Sequence, residues 1–503
     1  MKAGTNILRS KENRVFRLKE LLWLLAACVA CFTVLIINGS ILFYFDSGGY
    51  VVQGISGLSQ LGVDLSTGTD AASNAGSNAQ APLNDGNNTV HGSRSLIYAF
   101  LLALLTIFAH MDWLVLFNTL CVFLAVLLPM RVCLRRYNSS ITLTRSVSLP
   151  ILLSSLGALP FYTAYAMPDV FAAILLIVTA TLTVFIRKMQ YWEILLGLAL
   201  AGFAVISHPS HFLMAVLLVP LSAIGSALTE GRGWWLTPLL MLFLVIVGSA
   251  ERFAFKLAVE KVANSEVFYN PYLTARLIAD GPGLTYLKDT CPNPEVATCA
   301  LYDALQLSDD PMRLTASHIT FAKNPSLGSF KLMTEEDQRL VGQEQMEFFV
   351  NVIKHSPTSI GLAIFENTLT QVMRYKVDMT IPSESIIRIA LQNPRIPDNT
   401  FSAGRLARTQ SWTVWFYYGH TVLYAVSLLV IAVLLVLPSG LPGRLRVMAL
   451  MIFFGMLVNA LICGGLSQPA DRYGGRVIWL LPYMATIMVL FRGVVSRDTE
   501  AQS

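Results

Sequence analysis

The sequence predicts a mainly α-helical, polytopic membrane protein. It has about ten transmembrane helices, in-plane helices in the first outer loop, and an extracytoplasmic domain between the seventh and eighth spans. Three observations predict this class. The 503-residue chain is 54% hydrophobic and only 13% charged, where a soluble domain carries about 25% charge. Apolar runs of bilayer-spanning length recur along it. The net charge of +5 is small and most basic residues flank apolar runs, as membrane orientation requires. No basic face with interleaved aromatics is visible, which argues against nucleic acid as a partner.

The elements follow in chain order. Residues 1–20 carry Lys2, Arg9, Lys11, Arg14, Arg17 and Lys19 against Glu12 and Glu20. The excess of positive charge places the N-terminus in the cytoplasm. The first span, residues 21–45, is too long for a signal-peptide core and no small-residue cleavage site follows it, so it reads as a retained anchor. It ends in Phe43-Tyr44-Phe45-Asp46-Ser47-Gly48-Gly49-Tyr50. Residues 51–65 suit a short helix on the membrane surface. Residues 66–88, rich in Ser, Gly, Asn, Asp and Ala, cannot bury a core and read as a flexible loop.

Residues 96–109 are apolar but short for a span. If they crossed, Arg131, Arg135, Arg136 and Arg145 would all lie outside. If they lie in the membrane plane, residues 112–130 run inward and the four arginines are cytoplasmic. The charge rule selects the in-plane reading. The remaining spans are then residues 148–164, 169–186, 192–206, 212–228, 234–249, 412–437, 447–465 and 477–491. Both termini are cytoplasmic. The chain divides into an N-terminal membrane module (1–250), an extracytoplasmic domain (251–412) and a C-terminal membrane module (413–503).

Within residues 251–412, apolar positions at helical spacing predict a helix over 335–354. Residues 360–372 are amphipathic and suited to the membrane surface. Cys291 and Cys299 share a polar segment, and outside the cytoplasm they are expected to form a disulfide. The other five cysteines, Cys28, Cys31, Cys121, Cys133 and Cys463, lie in or beside apolar runs and read as small core residues.

This topology brings Asp46, Arg94, Asp169, His208, His211, Asp471 and Arg472 to the outer face. Each has a structural alternative. Asp46 and Asp169 stand where a carboxylate caps a helix N-terminus. His208 and His211 flank Pro209-Ser210, which looks like a helix start, and no HExxH or clustered Cys/His set points to zinc. Arg94 and Arg472 could snorkel to the interface or bind a lipid phosphate through bidentate contacts. Asp471-Arg472 could be a local ion pair.

The order of these motifs resembles the GT-C membrane glycosyltransferases, which include protein mannosyltransferases and lipid A aminoarabinose transferases. Asp46 with Tyr50 after the first span resembles that family's catalytic acid. Ser93-Arg94-Ser95-Leu96-Ile97-Tyr98 resembles the run into its in-plane helix. Met167-Pro168-Asp169-Val170 resembles its second-loop acid, and Arg472-Tyr473 an Arg-Tyr pair before its last helix. The match covers roughly the first third of the chain and, more weakly, the last outer loop. The family's acidic pair after the first span is Asp-Ser here, and the 66–88 loop looks inserted.

The resemblance implies an enzyme that moves a sugar from a polyprenyl-phosphate donor to an extracytoplasmic glycan, lipid or protein acceptor; the short basic loops together with that lipid-linked chemistry point to a bacterial inner membrane. Asp46 would be the general base. Asp169 would orient the acceptor or help hold a divalent ion (Mg or Mn). Tyr50, Arg94, His208, His211, Arg472 and Tyr473 would bind substrate, with Arg94, His208 or Arg472 on the lipid phosphate. The alternatives are a transporter or flippase for a lipid-linked glycan, which predicts ionisable groups in mid-membrane, and a polysaccharide polymerase or ligase of another membrane fold.

Overall fold

The computed structural model describes residues 2–63, 89–92, 94–262, 264–291, 296–406, 412–438 and 440–494. The predicted 66–88 loop and Ser93 lie outside them. The described chain is mainly helical. In order it comprises α1 (Lys2–Asn38), α2 (Phe45–Gln60), β1 (Thr89–His91), α3 (Leu96–Phe108), α4 (Trp113–Arg136), α5 (Leu143–Ser155), α6 (Leu159–Thr163) and α7 (Val170–Phe185). Next come α8 (Tyr191–Ser207), α9 (Pro209–Thr229), α10 (Leu236–Val262), β2 (Glu266–Phe268), α11 (Tyr272–Ala279), α12 (Pro282–Thr290), α13 (Cys299–Leu305) and α14 (Ala316–Phe321). The chain finishes with α15 (Glu335–His355), α16 (Pro357–Val372), α17 (Glu384–Leu391), α18 (Trp412–Val436), α19 (Gly443–Ala460), α20 (Asp471–Ile478) and α21 (Leu480–Leu490).

Among the described residues, eight helical stretches are long and apolar enough to cross a membrane. They contain α1, α4, α7, α9, α10, α18, α19 and the α20–α21 pair. The expected third and fifth spans are not among them. The third is broken into α5 and α6, with a turn at residues 156–158 where the Tyr424 hydroxyl accepts from the Ala158 amide at 2.9 Å. The fifth, α8, is an apolar helix of 17 residues. α7 is buried along its whole length and forms the axis of the bundle.

Ion pairs define one end of this bundle. Glu20 pairs with Arg145 at 3.1 Å, Glu193 with Arg131 at 3.1 Å and with Arg135 at 2.5 Å, and Glu230 with Arg444. The basic loops that oriented the sequence reading are therefore held by acids from neighbouring helices. Asn38, Asp112, Asp169, His208 and Asn459 all lie at the opposite helix ends. Both flanks of α3 are tied to residues 41–46. Arg94, just before it, bonds Asp46, and Asp112, just after it, accepts from the Ile41 amide at 3.2 Å. The chain thus leaves α1 and enters α4 at the same end of the bundle. α3 packs along α2, with Gly54 so close to the Ala99 carbonyl that a Cβ there would lie 2.1 Å from its oxygen.

Several boundaries differ from expectation. The first helix ends at Asn38, not at residue 45. Gly39 takes φ +78°, and the Asn38 side chain donates to the Ser40 carbonyl at 2.8 Å and accepts from the Arg405 and Leu406 amides at 3.0 and 2.9 Å. The chain then runs extended, and Asp46 sits in the first turn of α2. α10 continues to Val262, so the boundary drawn at residue 251 falls inside a helix. The segment 467–476, expected as an outer loop, is helical from Asp471, where α20 begins, and α19 ends in a π-helical turn, Leu461–Gly465.

Between α10 and α18, two regions behave differently. Residues 275–360 bury their own apolar cluster, including Leu277, Leu301, Phe330, Val341 and Phe348. Residues 377–401 instead bury Val377, Ile381, Ile386, Ile396 and Phe401 in the main core. The predicted 335–354 helix is α15. β1 pairs in parallel with β2, tying the first loop to the region after α10.

Cys291 and Cys299 form the expected disulfide, joining the end of α12 to the start of α13. Its loop is short, with a sequence separation of 8, so the stabilisation it gives is at the small end, about 2 kcal/mol. The double variant Cys291→Ser/Cys299→Ser is expected to melt a few degrees lower in a differential scanning measurement and to lose the wild-type response to reductant. The other five cysteines are free.

Candidate active site

Two extended segments build the site. Residues 40–44, between α1 and α2, lie beside residues 164–166, between α6 and α7. The Leu42 amide donates to the Ala164 carbonyl at 2.7 Å and the Ala166 amide to the Leu42 carbonyl at 2.8 Å. Ser47 then donates its hydroxyl to the Ala166 carbonyl at 2.9 Å and accepts from the Tyr44 amide at 2.9 Å. This zipper fixes the start of α2, which carries Asp46, against the turn that carries Asp169.

Asp169 stands at the N-terminus of α7 but makes no capping hydrogen bond. Its carboxylate is fully buried and receives Arg472 Nε at 3.0 and 3.1 Å and Nη2 at 2.7 Å. Arg476, one turn further along α20, lies 3.5 Å away through Nη1. Burial pushes the Asp169 carboxyl up, but the Arg472 and Arg476 charges and the Arg472 hydrogen bonds outweigh it and hold the group below the usual carboxylate range.

Aromatic rings surround this pair. The Arg472 guanidinium lies over Tyr44, Tyr165 and Tyr473, 5.2–5.7 Å from their centroids. Tyr162 donates to the Arg472 carbonyl at 2.6 Å. Arg476 is held by Asn459 at 3.0 and 2.8 Å and by Ser210 at 3.0 Å. Arg476 and its partners were missed from sequence because residues 467–476 read as a loop. The available signal was the four-residue spacing of Arg472 and Arg476, which puts both on one helical face.

Asp46 is different. It is not a helix cap either: its carboxylate accepts from Arg94 Nη2 at 3.2 Å, and its side chain is 45% exposed, against 26% for Arg94. The Gly48-Gly49 pair has a packing reason here. A Cβ on Gly49 would come within 2.4 Å of the Arg94 guanidinium, and one on Gly48 within 2.7 Å of the Ile396 side chain. Tyr50 is buried edge-on to Tyr98 at 5.2 Å. Burial and then the Asp46 charge push its phenol up, while Arg94 and Arg472 act in the opposite direction. Tyr50 therefore lies within electrostatic reach of both arginines and both acids.

The histidines are packed beside Arg476. His208 accepts from the Ser210 amide at 3.1 Å as the N-cap of α9, as the sequence suggested for a helix start at Pro209. Burial, then Arg476 and Arg472, push its imidazole well below the ordinary histidine range, so it is neutral at neutral pH. His211 is buried, its Nδ1 3.0 Å from the Ala204 carbonyl. Asp471 leaves the cluster and accepts from the Lys376 amide at 3.1 Å.

Among the described residues no three His, Cys, Asp or Glu side chains gather in a group able to hold a metal ion. Asp46 and Asp169 each face arginine. The guanidinium charges occupy the carboxylate oxygens that a divalent cation would need, so the residues do not suit one. The structure therefore joins the partly exposed Asp46 and Arg94 over the buried Tyr50, and gathers the buried Asp169, His211 and Arg472 with the half-buried His208 and Tyr473 in a second group. No family model, curated protein or solved structure matches this chain.

Proposed function

We propose that the protein is an integral-membrane glycosyltransferase that moves a sugar from a polyprenyl-phosphate donor to an acceptor hydroxyl at the Asp46 end of the bundle. In this reading all ten apolar segments cross the bilayer and that end faces away from the cytoplasm. The observation that carries it is the pairing of one accessible acid, Asp46, with one partly accessible arginine, Arg94, in front of a buried, fully charged anchor, Asp169–Arg472. An accessible carboxylate can take a proton at neutral pH. An adjacent guanidinium can meet the charge that develops on a leaving phosphate.

The acceptor oxygen attacks the sugar's anomeric carbon while Asp46 takes the hydroxyl proton. The bond from that carbon to the phosphate oxygen breaks, and polyprenyl phosphate leaves toward Arg94. Donor binding exchanges the Asp46–Arg94 contact for Arg94–phosphate and frees Asp46. Asp169 acts indirectly, by fixing Arg472 and with it α20. The regions 275–360 and 377–401 would help select the acceptor.

The test is transfer from a synthetic polyprenyl-phosphate sugar by the purified protein in lipid, with acceptors drawn from the host envelope. Gly49→Ala probes the same geometry. Alanine favours the helix, but its methyl displaces Arg94, so turnover is expected to fall by on the order of 10- to 100-fold with little change in melting temperature. Unchanged turnover would remove Arg94 from the reaction.

A second reading, a transporter for a lipid-linked glycan, is favoured by one observation. Asp169, Arg476 and His211 form an ionisable cluster buried between helices, as transport paths often do. It predicts donor translocation across vesicles without any transferred sugar.

A further inference from the structure

α16 does not belong to the candidate active site, yet its position is unusual. Its residues 364–371 lie across the π-helical end of α19. A Cβ on Gly464 would be 2.4 Å from the Gln371 side chain, and one on Gly465 3.0 Å from Ile364 and Thr368. Just beyond α16, Tyr375 stacks on Tyr417 of α18 at 5.9 Å and bonds Thr421 at 3.1 Å, and the Lys376 ammonium lies 4.5 Å from the Tyr417 ring. The helix therefore runs across the end of one stretch long and apolar enough to span a bilayer, α19, and the segment that follows it meets the first turns of a second, α18.

Its underside is fixed. Gln371 is buried, donates to the Ala470 carbonyl at 2.9 Å and accepts from the Ala470 amide at 2.8 Å. Asn367 donates to both oxygens of Asp280 at 3.0 Å. With those contacts made, the opposite face cannot turn inward. That face carries Leu362, Phe365, Leu369, Val372 and Met373, which are 40–72% exposed. Their spacing of three, four, three and one residues draws a single stripe on a helix.

We propose that this stripe is immersed in the leaflet at the Asp46 end, so that α16 is an in-plane helix in contact with lipid acyl chains. The occupant follows from continuity. α19, whose end α16 crosses, and α18, which the residues just after α16 meet, carry exposed apolar side chains of their own, including Trp415, Val422, Phe453 and Phe454, and a spanning helix exposes such residues to lipid. A stripe beginning where those surfaces end meets the same hydrocarbon, at the interfacial depth of about 5–10 Å typical of amphipathic helices. Through Gln371 and Ala470, the same helix sets the start of α20 and hence the height of Arg472 and Arg476 relative to the leaflet. The proposal rests on the fold and not on the reaction.

The test places a photo-reactive diazirine amino acid at Phe365 or Leu369 of the full chain, with Glu336 of α15 as an exposed control. Each variant is irradiated in native membranes and purified as a monodisperse species. Phospholipid adducts at both stripe positions and none at Glu336 are expected. Water-quenched products like those at Glu336 would overturn the proposal. So would a cross-link to a second copy or to another polypeptide, either of which would make the stripe a protein interface. If one variant fails to assemble, the other still decides the question.

Discussion

Asp169→Asn is expected to cost the protein about 3–5 kcal/mol of stability, a large share of the usual 5–15 kcal/mol. The substitution preserves shape and removes charge. It leaves Arg472 buried with no counter-ion, and Arg476 loses the same carboxylate 3.5 Å away. The expected result is a sharp fall in melting temperature and in abundance, measured on protein purified in lipid. Acid sensitivity should change as well. The Asp169 carboxyl is held below its ordinary range, so its stabilisation is complete above that range and is lost as pH falls through the lowered value. The variant should lack that portion of the acid-induced loss. A wild-type melting temperature would mean that the buried pair does not anchor α20.

Asp46→Asn is expected to do the opposite. The side chain is 45% exposed and its contact with Arg94 is a single hydrogen bond. Such a pair contributes about 0–1 kcal/mol, so folding should be nearly unchanged. Sugar transfer should fall by about 10²–10⁴-fold, the usual contribution of a general base. Transfer and abundance must be measured together, because the account assigns loss of chemistry to Asp46 and loss of structure to Asp169. If Asp46→Asn retained turnover while Asp169→Asn remained folded and inactive, the two roles would be reversed.

Much of this was legible from the residues because it rests on charge and length. The shortness of the apolar run at residues 96–109 was legible, and hydrogen bonds at Ile41 and Asp46 bring the two flanks of α3 to one end of the bundle. The disulfide followed from two cysteines in a polar segment. What sequence did not reveal depends on contacts between distant elements. Gly39 at positive φ ends α1 early, and residues 467–476 looked like a loop because Pro, Gly, Asp and Arg cluster there. Only the burial of Arg472 and Arg476 against Asp169, Asn459 and Ser210 shows why that stretch is helical. The roles of Gly48 and Gly49 were equally hidden, since they depend on Ile396 and Arg94, far away in sequence. Both acids were also open to a helix-capping reading, which their arginine contacts replace.

The central claim is that the lipid-linked donor reacts at the Asp46 end. The most direct measurement is an electron cryomicroscopy structure of the protein in lipid with a non-hydrolysable polyprenyl-phosphate sugar. The account predicts phosphate density within about 3 Å of the Arg94 guanidinium, the anomeric carbon facing Asp46, and Asp169–Arg472 unchanged. Donor density at the opposite end, among Arg131, Arg135 and Glu193, would contradict it.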